Sequence, residues 1–294
     1  MVVVDDGSGA PPRDVVGSFE HLISAKLIEL PHNSGPATAR NTGATHARGS
    51  WLVFVDDDCI PEPGWLSALE RRLESQPQLL VGGGLRNGVP SNLCAEASHQ
   101  LVCFLGKYYN TDPSDAAWFT SANIACSREA FTAIGGFGSG FPLAAAEDRD
   151  FCDRWHEAGY RLALAPDAIV EHARVMSVPQ FFHQHYTYGR GAHYLHEART
   201  RRGAISHRLE PLRFYWRLVF HPLTNDTGWR APLLMALLVL SQVAYATGYY
   251  GERAQARRVR AAGLGAAKQP EARHELIEAA VTAEAQAQPR PVGR

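Results

Sequence analysis

The sequence predicts an α/β fold: a mostly parallel sheet flanked by helices, followed by a helical, membrane-associated C-terminal extension. Three observations carry this reading. Short apolar runs alternate with segments of helical periodicity, the pattern of β-α-β units. Two of those runs end directly in clustered aspartates, at Asp5-Asp6 and at Asp56-Asp57-Asp58. From Ala231 to Tyr250, twenty consecutive residues carry no charge.

The elements follow in order. Val2 to Val4 reads as a buried strand that stops at Asp5-Asp6 and a Gly-Ser turn, and Lys26 to Pro31 as a second strand. Gly35 to Gly49, rich in alanine and small residues, reads as a short helix with a glycine stop. Trp51 to Val55 is a third strand. From Pro63 to Ser75, Trp65, Leu66, Leu69 and Leu73 recur at helical spacing. Gln78 to Gly84 is a fourth strand running into three glycines, and Asn87 to Ala117 reads as irregular. Phe151, Cys152 and Trp155 share a helix face, with Gly159 as the stop. Arg161 to Pro166 and Ala168 to Ala173 read as two short strands. Beyond Val178 the chain turns aromatic, basic and histidine-rich. His183, His185, His193 and His196 lack the cysteine or carboxylate partners of a tetrahedral zinc site and fit a polar or interfacial helix. From Ala261 the tail reads as loose, with one helix over Glu271 to Ala285.

Composition sets limits. The chain has 294 residues, 45% hydrophobic and 20% charged, which suits a globular protein. Its net charge of −1 gives no basic excess for binding nucleic acid. Five cysteines (59, 94, 103, 126, 152) without a C-x-x-C pair read as reduced thiols. No basic stretch precedes an apolar run at the N-terminus, so no signal peptide is expected.

Why should a buried strand end in three carboxylates? A turn needs only one, and three adjacent anions repel one another. On an extended chain Asp56 and Asp58 point to one side, where two carboxylates can hold a hard divalent cation that bridges substrate phosphates. A solvated acidic loop is the competing reading. Asp5-Asp6 repeats the device on another strand, with an Asx turn as its alternative. In α/β sheets ligands bind beyond the carboxyl ends of strands. Glu147, Asp148 and Asp150 open a helix behind the glycine-rich "GGFGSGF". The helix dipole accounts for acids there, and so does a general base. His172, after an apolar run, is either structural or a metal ligand.

With these residues in order, the chain resembles the GT-A glycosyltransferases of family 2. The resemblance rests on "VVVDDGS" (Val2 to Ser8), "GPATARNTGATHARGSWLVFVDDD" (Gly35 to Asp58), "SANIACSREAFTAIGGF" (Ser121 to Phe137) and "EDRDFCDRWHEAGYRL" (Glu147 to Leu162). It implies a Rossmann-like mixed sheet, a nucleotide-diphosphate-sugar donor, Mg2+ or Mn2+, and inversion at the anomeric carbon. It implies that Asp6 meets the nucleobase and that Asp56 and Asp58 form the D-x-D facing the ribose and the metal-diphosphate. It further implies His172 as an added metal ligand, Asp148 as general base with Glu147 beside it, and Arg40-Asn41 beneath the donor. Family members also carry a strand and helix ahead of the one at Val2, so the chain is expected to enter the fold at its second strand. The alternatives are a membrane-bound binding module without activity, or a metal-dependent nucleotidyltransferase on the same acidic strand ends. No P-loop supports the latter.

The expected organisation is a catalytic domain over residues 1–175, an aromatic and basic interfacial region over 176–230, an apolar membrane segment over 231–250, and a basic then loose tail over 251–294. Arg199 to Arg230 holds seven arginines against Glu210 and Asp226. Basic residues also follow the apolar segment, so one span cannot place both flanks inside. A helix in the interface, or a shallow re-entrant one, suits both flanks. The expectation is therefore the cytoplasmic face of the cell membrane, with a glycan or lipid-linked acceptor.

Overall fold

Alternation along the strands decides the architecture. The computed structural model describes residues 1–204, 210–225 and 228–261. Its elements are β1 (Val2–Asp5), α1 (Arg13–Ser18), β2 (Lys26–Glu29), α2 (Pro36–His46), β3 (Trp51–Val55), β4 (Cys59–Pro61), α3 (Trp65–Ser75), β5 (Leu80–Asn87), α4 (Leu93–Tyr109), β6 (Asn123–Ser127), α5 (Arg128–Ile134), α6 (Glu147–Glu157), β7 (Leu162–His172), α7 (Val178–Arg201), α8 (Leu212–Val219) and α9 (Ala231–Ala261). In the central strands successive side chains enter opposite cores. Leu52, Leu80, Ile124 and Leu162 face α2, α5 and α6, where Phe131, Phe151 and Trp155 pack. Val81, Ala125 and Ala163 face α3 and its Leu69 and Leu73. The result is helices on both faces of one sheet.

That sheet has five strands in the order β3-β6-β5-β7-β4, and β1 and β2 form a separate parallel pair. The mostly parallel sheet read from the alternation of strands and helices is corrected to a mixed one, as the resemblance implies: in the five-stranded sheet only β5 and β7 run parallel, and the other pairs are antiparallel. The cause is local. β3 returns to β4 through a turn rather than a crossover helix, which forces an antiparallel edge, and β6 enters between β3 and β5 in reverse.

Two other expectations change. The stretch read as irregular contains α4, a 17-residue helix capped by Asn92, whose side chain accepts the Ala95 N–H at 2.8 Å. Its Ala97, Leu101 and Phe104 are buried. The two short strands around Pro166 are one strand, β7, whose pairing with β5 shifts register between Gly83 and Gly84. The helix expected over Glu271 to Ala285 lies outside the described residues.

Residues Met1–Tyr250 form one compact unit. The second, Gly251–Arg294, is described only up to residue 261, as the last turns of α9. Within the first unit α7 is not a surface helix. Ser177 opens it with a capping box, and Phe181, His185 and Leu195 are buried along it. Its crossing with α9 needs glycine on both helices. A Cβ at Gly189 would lie 1.9 Å from the Tyr245 carbonyl oxygen, and one at Gly248 2.1 Å from that of Tyr186.

Gly189→Ala is therefore expected to cost about 3 kcal/mol through overpacking of backbone on backbone. Gly106→Ala, inside α4 with open space around it, should gain about 0.5–1 kcal/mol. Urea denaturation of the two variants beside the parent checks both signs.

Candidate active site

The acidic residues singled out in the sequence come from distant segments. Pairing and packing bring most of them to one end of the sheet. The three aspartates do not continue the strand. The Cys59 N–H donates to the Asp56 carbonyl at 3.1 Å, closing a turn between β3 and β4. The expected same-side placement of Asp56 and Asp58 on an extended chain is thereby corrected, and the turn sends them to different partners.

Asp58 meets His172. β4 pairs antiparallel with β7, setting Cys59 opposite His172. The Ala173 N–H donates to the Asp58 carbonyl at 2.7 Å. His172 Nε2 lies 3.3 Å from Asp58 Oδ1. The contact with Asp58 raises the imidazole pKa, and the same contact holds the carboxyl below its usual range. Ligand atoms of Asp58, Cys59 and His172 all lie within 4.8 Å of one another. Burial, then Asp58 and Asp56, pushes the Cys59 thiol up to about 12, so it stays protonated. Carboxylate and imidazole remain as the ready donors, a set that suits Mn2+ or Mg2+ better than a soft ion. Sequence reasoning passed over Cys59. Only the β4–β7 register reveals it.

Asp56 meets Arg40 instead. Arg40, on α2, donates from NH2 to Asp56 Oδ1 at 2.7 Å and from NH1 to Glu147 Oε1 at 2.9 Å. One guanidinium thus joins the turn after β3 to the start of α6. Glu147 is buried, and its Oε2 has no partner among the described residues. Burial first and Asp148 second push its carboxyl up to about 7, against the pull of Arg40. Asp148 is half-buried, and its Oδ1 accepts the Arg149 N–H at 2.7 Å. Its carboxyl is also raised, chiefly by burial. Asp150 is committed elsewhere, to Arg154 at 2.8 Å and Arg202 at 2.6 Å. Arg149 lies over the Trp118 ring at 4.3 Å.

The backbone around these acids is fixed by force. Ala146 precedes Glu147 with φ 73°, the one non-glycine residue at positive φ among those described. Such strain persists only where surroundings impose it. Ala145 is buried against α7, where a Cβ on Gly191 would come within 2.5 Å of the Ala145 Cβ. Asn41 holds the other end of the loop, donating to the Phe137 carbonyl at 2.8 Å and accepting the Phe137 N–H at 2.9 Å. Asp6 is engaged apart from the rest. Its two oxygens accept the N–H groups of Ser34 at 2.7 Å and Gly35 at 2.8 Å, tying β1 to the entrance of α2.

A mixed sheet under flanking helices, with acids gathered at one end, is the GT-A fold. The model of glycosyl transferase family 2 matches residues 1–135. It is 33% identical over 178 residues to the pre-mycofactocin glycosyltransferase of Mycobacterium tuberculosis, covering 58% of this chain and 37% of that protein. It is 25% identical over 170 residues to the glycosyltransferase AglE of Haloferax volcanii, covering 58% of this chain and 55% of that one. The chain thus spans roughly a third to a half of these relatives. The mannosyltransferase PcManGT from Pyrobaculum calidifontis, solved with GDP-Man and Mn2+, superposes with a TM-score of 0.52 at 18% identity. It covers 95% of this chain and 70% of that one.

The buried Glu147 yields a pH prediction. Its folded carboxyl titrates near 7 against a usual 4.5, so the folded state holds a proton that the unfolded state has lost. Stability should fall as pH rises from about 4.5 to about 7, by about 2–3 kcal/mol from this group, and change no further above that. Glu147→Gln should flatten that slope in denaturation series across the same pH range.

Proposed function

We propose that the domain transfers a sugar from a nucleoside-diphosphate donor to an acceptor hydroxyl, with a divalent metal and with inversion. The observation that carries this is the convergence, on one end of the sheet, of the Asp58–His172 pair and the Arg40-tied Asp56, Glu147 and neighbouring Asp148. Asp58 and His172 would hold Mn2+ or Mg2+, with the remaining oxygen of Asp56 available to the donor. The ion, when bound, neutralises charge on the departing nucleoside diphosphate. PcManGT, with GDP-Man and Mn2+, supports the donor class and the ion.

The chain's own residues divide the rest. Asp148 takes the proton of the acceptor hydroxyl onto a carboxylate oxygen, and its raised pKa makes it a stronger base than an exposed aspartate. Glu147 is held by Arg40 and is not offered as a nucleophile, which favours one in-line displacement and hence inversion. Arg40 and Asn41 fix α2 beneath the site. Asp6 orders the entrance to α2 and is the residue that would meet the nucleobase. A glycan or lipid-linked acceptor suits the half-buried setting of Asp148 and the nearby Trp118.

Asp58→Asn is expected to abolish Mn2+-dependent binding of nucleotide sugar in calorimetry while leaving the thermal transition in place. Undiminished binding refutes the metal assignment. Asp148→Asn should bind donor normally yet lose about 10²–10⁴-fold in turnover. If Asp148→Asn stays active and Glu147→Gln does not, the base is Glu147.

A further inference from the structure

We propose that α8, the turns after it and one face of α9 form a flat docking surface for an anionic lipid bilayer, and that α9 lies along the bilayer surface rather than crossing it. Length and hydropathy alone permit a crossing: Gly228–Val259 has a mean hydropathy of 1.6 over its best window. Packing opposes it. Leu234 is fully buried with Ala97 of α4 and Phe181 of α7, and Leu238 with Phe104 of α4 and Leu218 of α8. The interlocked glycines at 189 and 248 hold α9 along α7, and His196 Nδ1 lies 2.9 Å from the Tyr249 hydroxyl. The partner helices carry Glu96, Lys107, Arg190 and Glu197. A crossing α9 would drag those groups into hydrocarbon or tear itself from its core, and both are costly.

The opposite face of α9 has no partner among the described residues. Leu233, Ala236, Val239, Val243, Thr247 and Tyr250 are exposed. They recur at three- and four-residue steps, so they form one stripe, turned away from buried Leu234, Leu238, Ser241 and Ala244. The stripe runs about 25 Å without a charge.

α8 repeats the design. Phe214 and Leu218 are buried, while Leu212, Trp216 and Phe220 are exposed on the other side. The rings of Trp216 and Phe220 stack at 5.4 Å between centroids. Trp229 is 79% exposed in the turn before α9. Exposed tryptophans and aliphatic side chains gathered on adjoining helix faces mark an interaction surface.

Charge selects the occupant. Residues 211–225 and 228–250 contain Arg213, Arg217 and Arg230 and no acidic residue. Arg213 and Arg217 are exposed, and helical spacing sets them at the border of the Leu212–Trp216–Phe220 stripe. Aromatic and aliphatic side chains bordered by cations match the headgroup boundary of an anionic leaflet. A second copy of the same basic face would meet it with like charge. Docking would hold the domain at the cytoplasmic face of the cell membrane, open to the cytosol where nucleotide sugars are made.

The test is flotation of the full chain with phosphatidylcholine vesicles, with and without phosphatidylserine, in the absence of donor and metal. The readout is thus independent of glycosyl transfer. The parent should float with the anionic vesicles and about thirtyfold less with neutral ones. Val239→Gln with Val243→Gln should reduce flotation at least about tenfold, with an unchanged circular dichroism spectrum. Arg213→Gln with Arg217→Gln should remove most of the preference for phosphatidylserine, about fivefold for each charge. Bound parent should be released by alkaline carbonate. Three results overturn the proposal: no flotation on anionic vesicles, resistance to carbonate extraction, or a dimer in sedimentation that the Val239→Gln/Val243→Gln variant dissolves.

Discussion

The Arg40 guanidinium is the constraint on which the site depends. Among the described residues it is the only cation with hydrogen bonds to both Asp56 and Glu147, and it sits on a helix that belongs to neither. One positive charge there faces at least two carboxylates, with Asp148 nearby. Burial raises the Glu147 and Asp148 carboxyls, with Asp148 adding to the rise at Glu147 and Asp56 to that at Asp148. A half-buried region with surplus negative charge is costly to maintain. Its persistence makes sense where a further cation and a base are required. Removing Arg40 would leave two carboxylates facing each other without compensation, so its role is architectural even though it touches the residues proposed for chemistry.

Around this bridge the backbone is over-determined. Asn41, the next residue on α2, makes a reciprocal pair of hydrogen bonds with Phe137 and thereby fixes the near end of the loop that leads to α6. Ala145, pressed on Gly191 of α7, fixes the far end. Between those anchors Ala146 takes a left-handed conformation that an isolated alanine avoids. The strain turns the chain so that Glu147 and Asp148 enter α6 facing Arg40. The same first turn supplies the positive end of a helix dipole, yet burial outweighs it for both acids.

Much of this was legible in the sequence because the signals were local. Apolar runs gave β1, β2, β3 and β5, and helical spacing gave α3 and α6. Motifs led to Asp58, Arg40, Glu147 and Asp148, and the end of an apolar run to His172, before any pairing was known. What escaped was non-local. Strand direction is not written in a strand, so the antiparallel insertion of β6 was invisible. α4 carries Ala97, Leu101 and Phe104 at helical spacing, but polar Ser98, His99 and Gln100 between them hid it. Cys59 becomes part of the Asp58 cluster only through its register with His172. Asp56 and Asp58 looked like a pair because two-residue alternation was assumed, whereas a hydrogen-bonded turn separates their partners.

The apolar segment illustrates how far composition can reach. Twenty uncharged residues describe a bilayer span, a buried helix or an interfacial one equally well, since all three hide apolar surface. Only packing separates them, and here it is split: α9 buries Leu234, Leu238 and Ala244 and exposes Val239 and Val243. α7 makes that split consequential for the site. Its Gly189 receives the backbone of α9, and two residues later, on the opposite side of the helix, its Gly191 receives Ala145, just before Glu147 and Asp148. Both contacts are backbone-close, and protein interiors packed at that density transmit displacement rather than absorb it. A surface that holds α9 therefore holds α7, and through α7 it fixes the position of the acidic loop relative to whatever α9 rests upon. The reach from that surface to the Asp148 carboxylate is set by one rigid helix.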